Sequence, residues 1–194
     1  FGEKVILRGK SGVGKSTLAK ILVGLYTGYS GDIFIGEKQL SCLSRNELSR
    51  LVMLVEQKSP LFNRTIRENI CYSITNYTEA QLESALRISC CWEFINSLDK
   101  GLETKVGEDG FTLSGGQIQR ISIARAILFK PKILILDEST SGLDSELEHK
   151  VISNLINIKN QTLLIISHSK KLLSIIPNVI NFKLNRCEEE LCQS

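Results

Sequence analysis

Histidine is nearly absent from this 194-residue chain, with only His149 and His168, and that scarcity removes most metal chemistry. The six cysteines, Cys42, Cys71, Cys90, Cys91, Cys187 and Cys192, form no C-x-x-C pair and have no histidine cluster beside them. They are read as reduced thiols, some of them buried; Cys187 and Cys192 flank Glu188, Glu189 and Glu190 in a polar tail expected to fray. No apolar run approaches the ~20 residues that cross a bilayer, and the first residues lack a signal-peptide pattern, so a membrane role needs its span from another segment or chain. The 24 basic and 21 acidic residues are scattered, leaving a net charge of +3. That balance describes a solvated mixed surface and no nucleic-acid patch. Internal repeats and low-complexity linkers are also missing. At 42% hydrophobic, the chain has enough apolar material for one domain with a buried core and a small subdomain.

Against these absences stands Gly9-Lys10-Ser11-Gly12-Val13-Gly14-Lys15-Ser16-Thr17. It follows an apolar stretch, Val5 to Leu7, and opens a helical pattern at Leu18, Ile21, Leu22 and Leu25, which is the strand–loop–helix setting of a phosphate-binding loop. Gly9, Gly12 and Gly14 let the loop curl so that backbone N–H groups, with Ser11 and Thr17 beside them, face phosphate oxygens. Lys15 then reaches the β and γ phosphates of ATP, and the Ser16 hydroxyl ligates Mg²⁺.

Strands are expected at Lys4–Leu7, Leu51–Val55, Ile133–Leu136 and Thr162–Ile166, alternating with helical patterns as in a parallel sheet covered by helices. The stretch 31–36 reads as part of a hairpin. Between Pro60 and Thr112 the strand signal disappears, and helices are expected at Glu79–Ile88 and Trp92–Leu98, so this interval is read as an inserted helical subdomain.

The strand ending at Leu136 delivers Asp137 and Glu138 where open α/β sheets bind ligands. Adjacent side chains on a strand diverge, so Asp137 suits Mg²⁺ and Glu138 suits the water that attacks the γ phosphate. Ser114-Gly115-Gly116-Gln117 precedes an amphipathic helix closed by Pro131, with Ser114 as its N-cap, and offers a second helix N-terminus to an anion. One nucleotide does not obviously touch both this motif and Lys15 if a helical subdomain holds them apart. A head-to-tail pair of copies would solve that, each Ser114 completing the other's site.

The order of phosphate loop, Gln57, Leu113-Ser114-Gly115-Gly116-Gln117, Asp137-Glu138, Ser141-Gly142-Leu143-Asp144 and His168 resembles the ATP-binding cassette of ABC transporters, over the whole chain. Gln57, Ser114, Asp137 and His168 lie 42, 99, 122 and 153 residues after Lys15, without the long insertions that split chromosome and repair ATPases of this type. The resemblance implies an α/β P-loop NTPase with a RecA-like parallel sheet core (1–58 and 113–194), an inserted helical subdomain (59–112) and an incomplete antiparallel β subdomain. It implies that Gln57 approaches Mg²⁺ and the attacking water, that Asp144 lies at a dimer seam, and that His168 contacts the γ phosphate. His149, beside Glu146 and Glu148, is read as part of a charged surface face. The stretches Asn63 to Ile70 and Thr104 to Gly110 are similar to exporter cassettes, where the second meets the transmembrane domain.

What the resemblance implies for function is an ATPase motor domain at the cytoplasmic face of a membrane. Its partners would be a second nucleotide-binding domain, identical or not, and a transmembrane domain fused upstream. Two other readings stay open: a soluble ATPase of this type acting on DNA or ribosomes, and a regulatory cassette with little turnover. Departures are Ile118 after the signature glutamine, Ser167 and Ser169 around His168, and the lack of the aromatic residue that cassettes usually carry some twenty-odd positions ahead of the phosphate loop to stack on adenine. Stacking is worth roughly 1–3 kcal/mol in nucleic-acid binders, so this stretch of chain is expected to bind nucleotide more weakly than a full cassette.

Overall fold

Four short apolar runs form the spine of the fold, because a strand covered on both faces has no side for polar residues. The computed structural model describes residues 2–107, 110 and 112–183. Cys187, Cys192 and the 188–190 glutamates lie outside them, as do Glu108 and Asp109 of the 104–110 stretch. The first third of the chain holds β1 (Lys4–Arg8), α1 (Lys15–Leu22), β2 (Phe34–Ile35), β3 (Lys38–Gln39), α2 (Arg45–Leu51) and β4 (Val52–Glu56). Then come β5 (Arg64–Thr65), α3 (Ile66–Ile70), α4 (Glu79–Ile88), α5 (Trp92–Asn96) and β6 (Lys105–Val106). The chain continues through α6 (Gly115–Phe129), β7 (Ile133–Asp137), α7 (Ser145–Ile156), β8 (Thr162–Ile166) and β9 (Val179–Asn181).

The main sheet has the order β4-β7-β8-β1-β9, parallel throughout, with Val55 opposite Leu136, Leu134 opposite Leu163 and Ile6 opposite Ile165. Because side chains alternate along a strand, each run is divided between two cores. Ile6, Leu134, Leu136, Leu163 and Ile165 face the core shared with α6 and α7, whereas Leu7, Ile135 and Ile166 face the core shared with α1 and α2. The hairpin β2–β3 brings Ile35 to the edge of the second core.

Helix α6 is buried along most of its length, from Gln119 to Leu128, since it lies between the sheet and the helices α3 and α4. It opens on a capping box, with Ser114 Oγ accepting from Gln117 N and Gln117 Oε1 from Ser114 N, and closes on a left-handed Lys130 before Pro131. Ile66, Ile70, Leu82, Leu86 and Ile95 from α3 to α5 belong to the same continuous core as the sheet residues beneath α6.

Several elements depart from the sequence expectations. The interval 60–112 is not free of strand: β5 and β6 pair antiparallel, Arg64 opposite Val106 and Thr65 opposite Lys105. Strands of two residues are too short to show an alternating pattern. The fifth parallel strand, β9, was not anticipated; it is short, and two of its three residues are exposed. Helix α5 ends at Asn96 instead of Leu98. Among the described residues no helix is long and apolar enough to cross a membrane.

Leu134 is 0% exposed and Phe34 is 61% exposed. Leu134→Ala is therefore expected to cost about 2–5 kcal/mol in urea denaturation, and Phe34→Ala no more than about 0.5 kcal/mol.

Candidate functional site at the carboxyl edge of the sheet

Polar groups reappear where the strands end. The carboxyl ends of β1, β4, β7 and β8 lead into Gly9, Gln57, Glu138 and His168, so residues far apart in sequence share one rim of the sheet.

After β1 the chain turns through Gly12 (φ 77°) and Gly14 (φ 100°), left-handed conformations that glycine adopts without steric cost. Gly9 is required for a different reason: a Cβ there would stand 2.5 Å from the Phe182 carbonyl oxygen. Phe182 N in turn donates to Arg8 O at 2.6 Å, so the residue following β9 holds the start of the loop. Lys15 is only 6% exposed, and its Nζ donates to the Gly9 and Lys10 carbonyls, both at 3.0 Å. The loop thus closes around its own ammonium. Ser11, Ser16 and Thr17 are exposed, and α1 starts without a side-chain cap or an acidic residue in its first turn. Its leading N–H groups and the positive end of its dipole are left for an anion.

Asp137 ends β7 at 7% exposure, and its Oδ1 is buried with no hydrogen-bond partner. A buried acceptor without a donor is costly, and a cation answers that need. Ser16, Gln57 and Asp137 supply only oxygen ligands, which suits Mg²⁺. No group of three or more His, Cys, Asp or Glu that could hold a metal is found among the described residues. The thiols lie outside this chemistry: the four described cysteines are unpaired, and burial pushes the Cys91 pKa up to about 12.

Glu138 has φ 49°, a left-handed backbone held by Glu138 N donating to Ile166 O at 3.0 Å and Ser141 N donating to Glu138 O at 3.1 Å. From this turn its carboxylate lies 3.5 Å from His168 Nε2. Gln57 Nε2 donates to Ser141 Oγ at 3.2 Å, joining the end of β4 to the same loop. A cleft of about 260 Å³ lies between Glu138, Thr140, Glu148 and His168.

The second glycine motif sits beside this loop. A Cβ on Gly116 would be 3.0 Å from the Gly142 carbonyl oxygen, whereas Gly115 faces open space. The Gln117 side chain is engaged in its helix cap. Among the described residues no hydrogen bond or ion pair joins 114–117 to the phosphate loop. Asp144 serves locally as the N-cap of α7, its Oδ1 accepting from Glu146 N and Leu147 N at 3.1 and 2.9 Å.

Two residues escaped the sequence reading. Gln119, 7% exposed, accepts from Gly142 N at 3.0 Å and donates to Gln57 O across a long 3.5 Å. Its signal was a glutamine on the same helix stripe as Ile123 and Ala126. Glu148, expected on a charged surface face, instead accepts hydrogen bonds from Thr140 and Ser169. Nothing in its local sequence distinguishes it from exposed Glu146.

The family model for ABC transporters matches residues 1–141. An ATP-dependent lipid A-core flippase of Escherichia coli (strain K12) is 44% identical over 169 residues, 86% of this chain and 29% of the flippase. The Shigella flexneri protein of the same name gives the same figures. A solved bacterial Atm1-family ABC exporter with ATP bound superposes with a TM-score of 0.87 at 33% identity, covering 94% of this chain and 32% of the exporter. The chain thus spans about a third of the length of the proteins it matches.

Asp144→Ala removes the α7 cap and is expected to lower stability by about 1 kcal/mol. Asp144→Asn keeps an acceptor and most of that stability, as read from paired denaturation curves.

Proposed function

This chain belongs to the ABC transporter family, and from that membership we propose that it is the ATP-binding and ATP-hydrolysing motor domain of an exporter. The observation that carries the reading is the convergence of Lys15, Asp137, Glu138 and His168 on one rim of a parallel sheet. The loop amides of 9–14 and the first turn of α1 hold the ATP phosphates, and the Lys15 ammonium exchanges the Gly9 and Lys10 carbonyls for phosphate oxygens. Ser16, Gln57 and Asp137 hold Mg²⁺, which when bound neutralises charge on the phosphate oxygens.

Glu138 orients and deprotonates the water that attacks the γ phosphorus. His168, 3.5 Å from Glu138, supports the γ phosphate. Most of the rate enhancement comes from positioning and charge neutralisation.

The amides at Ser114 to Gly116 serve the nucleotide of a second cassette arranged head to tail, with Asp144 near the seam. Closure of the pair on two ATP molecules drives a transmembrane domain to change its access, and hydrolysis resets it. Residues 59–112 form the subdomain that passes this movement on. The cassette works at the cytoplasmic face of a membrane.

Lys15→Ala deletes hydrogen bonds to a charged ligand and is expected to weaken ATP binding about tenfold or more in calorimetry; wild-type affinity would remove Lys15 from the site. Glu138→Gln is expected to keep ATP binding while turnover falls about 10²–10⁴-fold. With ATP, this variant is expected to sediment as a dimer. Unchanged turnover would exclude Glu138 as the group acting on water, and a monomer at every concentration would exclude the head-to-tail pair.

A further inference from the structure

Glu138 and His168 sit on separate loops, and their side chains approach to 3.5 Å. Each loop is braced by a bond within itself: Ser141 N donates to Glu138 O, and Ser169 N donates to Ser167 Oγ at 3.0 Å. The two loops are tied at their bases by Glu138 N donating to Ile166 O at 3.0 Å and by the pairing of Asp137 with Ile166. Beyond those bases one side chain bridges them, and it comes from a third element.

Glu148 lies in the first turns of α7, four residues after the Asp144 cap. Its Oε1 accepts from Thr140 Oγ1 at 2.8 Å, and its Oε2 accepts from Ser169 Oγ at 3.1 Å. Thr140 is two residues beyond Glu138, and Ser169 is one beyond His168. Thr140 is buried and Ser169 is partly buried, so these bonds are shielded from competing water. Among the described residues no cation lies within ion-pair distance of Glu148. The carboxylate therefore works as a two-armed acceptor, with a helix as its base. Groups on helices are held more precisely than groups on loops, and the left-handed backbone of Glu138 is of a kind that persists only where its surroundings over-determine it.

We propose that Glu148 is a positioning residue whose carboxylate, by accepting from Thr140 and Ser169, fixes the loop of Glu138 against the loop of His168 at the spacing that ATP hydrolysis requires. The proposal rests on the ATPase reading above. It assigns Glu148 no contact with nucleotide, so its loss acts on turnover and spares affinity. Glu146 on the same helix has no side-chain partner among the described residues and supplies the control.

The test compares steady-state ATPase kinetics of the wild type, Glu148→Ala, Glu148→Gln and Glu146→Ala. Glu148→Ala is expected to lower kcat about tenfold with KM changed less than about twofold, because two aligning hydrogen bonds are lost and no binding contact is. Glu148→Gln should recover most of kcat, since both hydroxyls can donate to or accept from an amide. Glu146→Ala should match the wild type. Ser169→Ala should lower kcat in the wild-type background and add nothing to Glu148→Ala, as one shared arm requires. Wild-type kcat in Glu148→Ala, equal losses in Glu148→Ala and Glu148→Gln, or additive losses with Ser169→Ala would each overturn the proposal.

Hydrogen exchange of the Ser141 amide without nucleotide gives a readout that does not depend on catalysis. Faster exchange in Glu148→Ala, restored in Glu148→Gln, supports the strut, and unchanged exchange overturns it. A wild-type protein that binds ATP but does not hydrolyse it would count against the ATPase reading alone, and the exchange comparison would still decide the role of Glu148.

Discussion

A parallel strand covered by helices on both faces can carry polar groups only where it stops. Alternation along β1, β7 and β8 sends Ile6, Leu134 and Ile165 to one core and Leu7, Ile135 and Ile166 to the other, so the middle positions of these strands are taken up by packing. Everything that handles charge is displaced to the carboxyl edge. The parallel arrangement then stacks the edges of four strands on one side, and residues from opposite ends of the chain become neighbours there. Two-sided burial of the sheet is thus both the source of stability and the reason a site exists.

At that edge the ordinary rules of satisfaction and relaxation are suspended in several places at once. Asp137 keeps a buried oxygen unpartnered, Glu138 holds a left-handed backbone, and the Lys15 ammonium is turned onto carbonyls of its own loop. The helix starts are conventional by contrast: α2, α3, α4 and α6 all begin with complete capping boxes. Left-handed residues and unpartnered buried atoms also occur singly elsewhere, as at Lys130 and Gln161, but at this rim they fall on consecutive residues, Asp137 and Glu138, as expected of a prepared environment.

Much of this was legible from residues alone, because its signals are local. Thr162–Ile166 is a strand and Glu79–Ile88 a helix with the expected boundaries, and Ser114 caps α6. What escaped depends on pairing over distance. Strands β5 and β6 exist only because Arg64 meets Val106, and β9 only because β1 offers it an edge. Gln119 and Glu148 read as an ordinary helix residue and an ordinary surface charge until the loops they bridge are folded against them. Asp144 was assigned through a family likeness, while its cap of α7 follows from simple chemistry that the sequence already contained.

The strand that carries the phosphate loop lies between β8 and β9, and its loop is fastened by a bond from Phe182 to Arg8. β1 is made well before both of its neighbours. It must stay unpaired while the intervening segments are made, and the 9–14 loop cannot be locked until β9 arrives. Such long-range closure makes for slow folding, and it leaves an apolar strand exposed in the nascent chain. The loop is therefore fastened only once β9 has been made, so that a chain cut short before β9 would not hold residues 9–14 in this form.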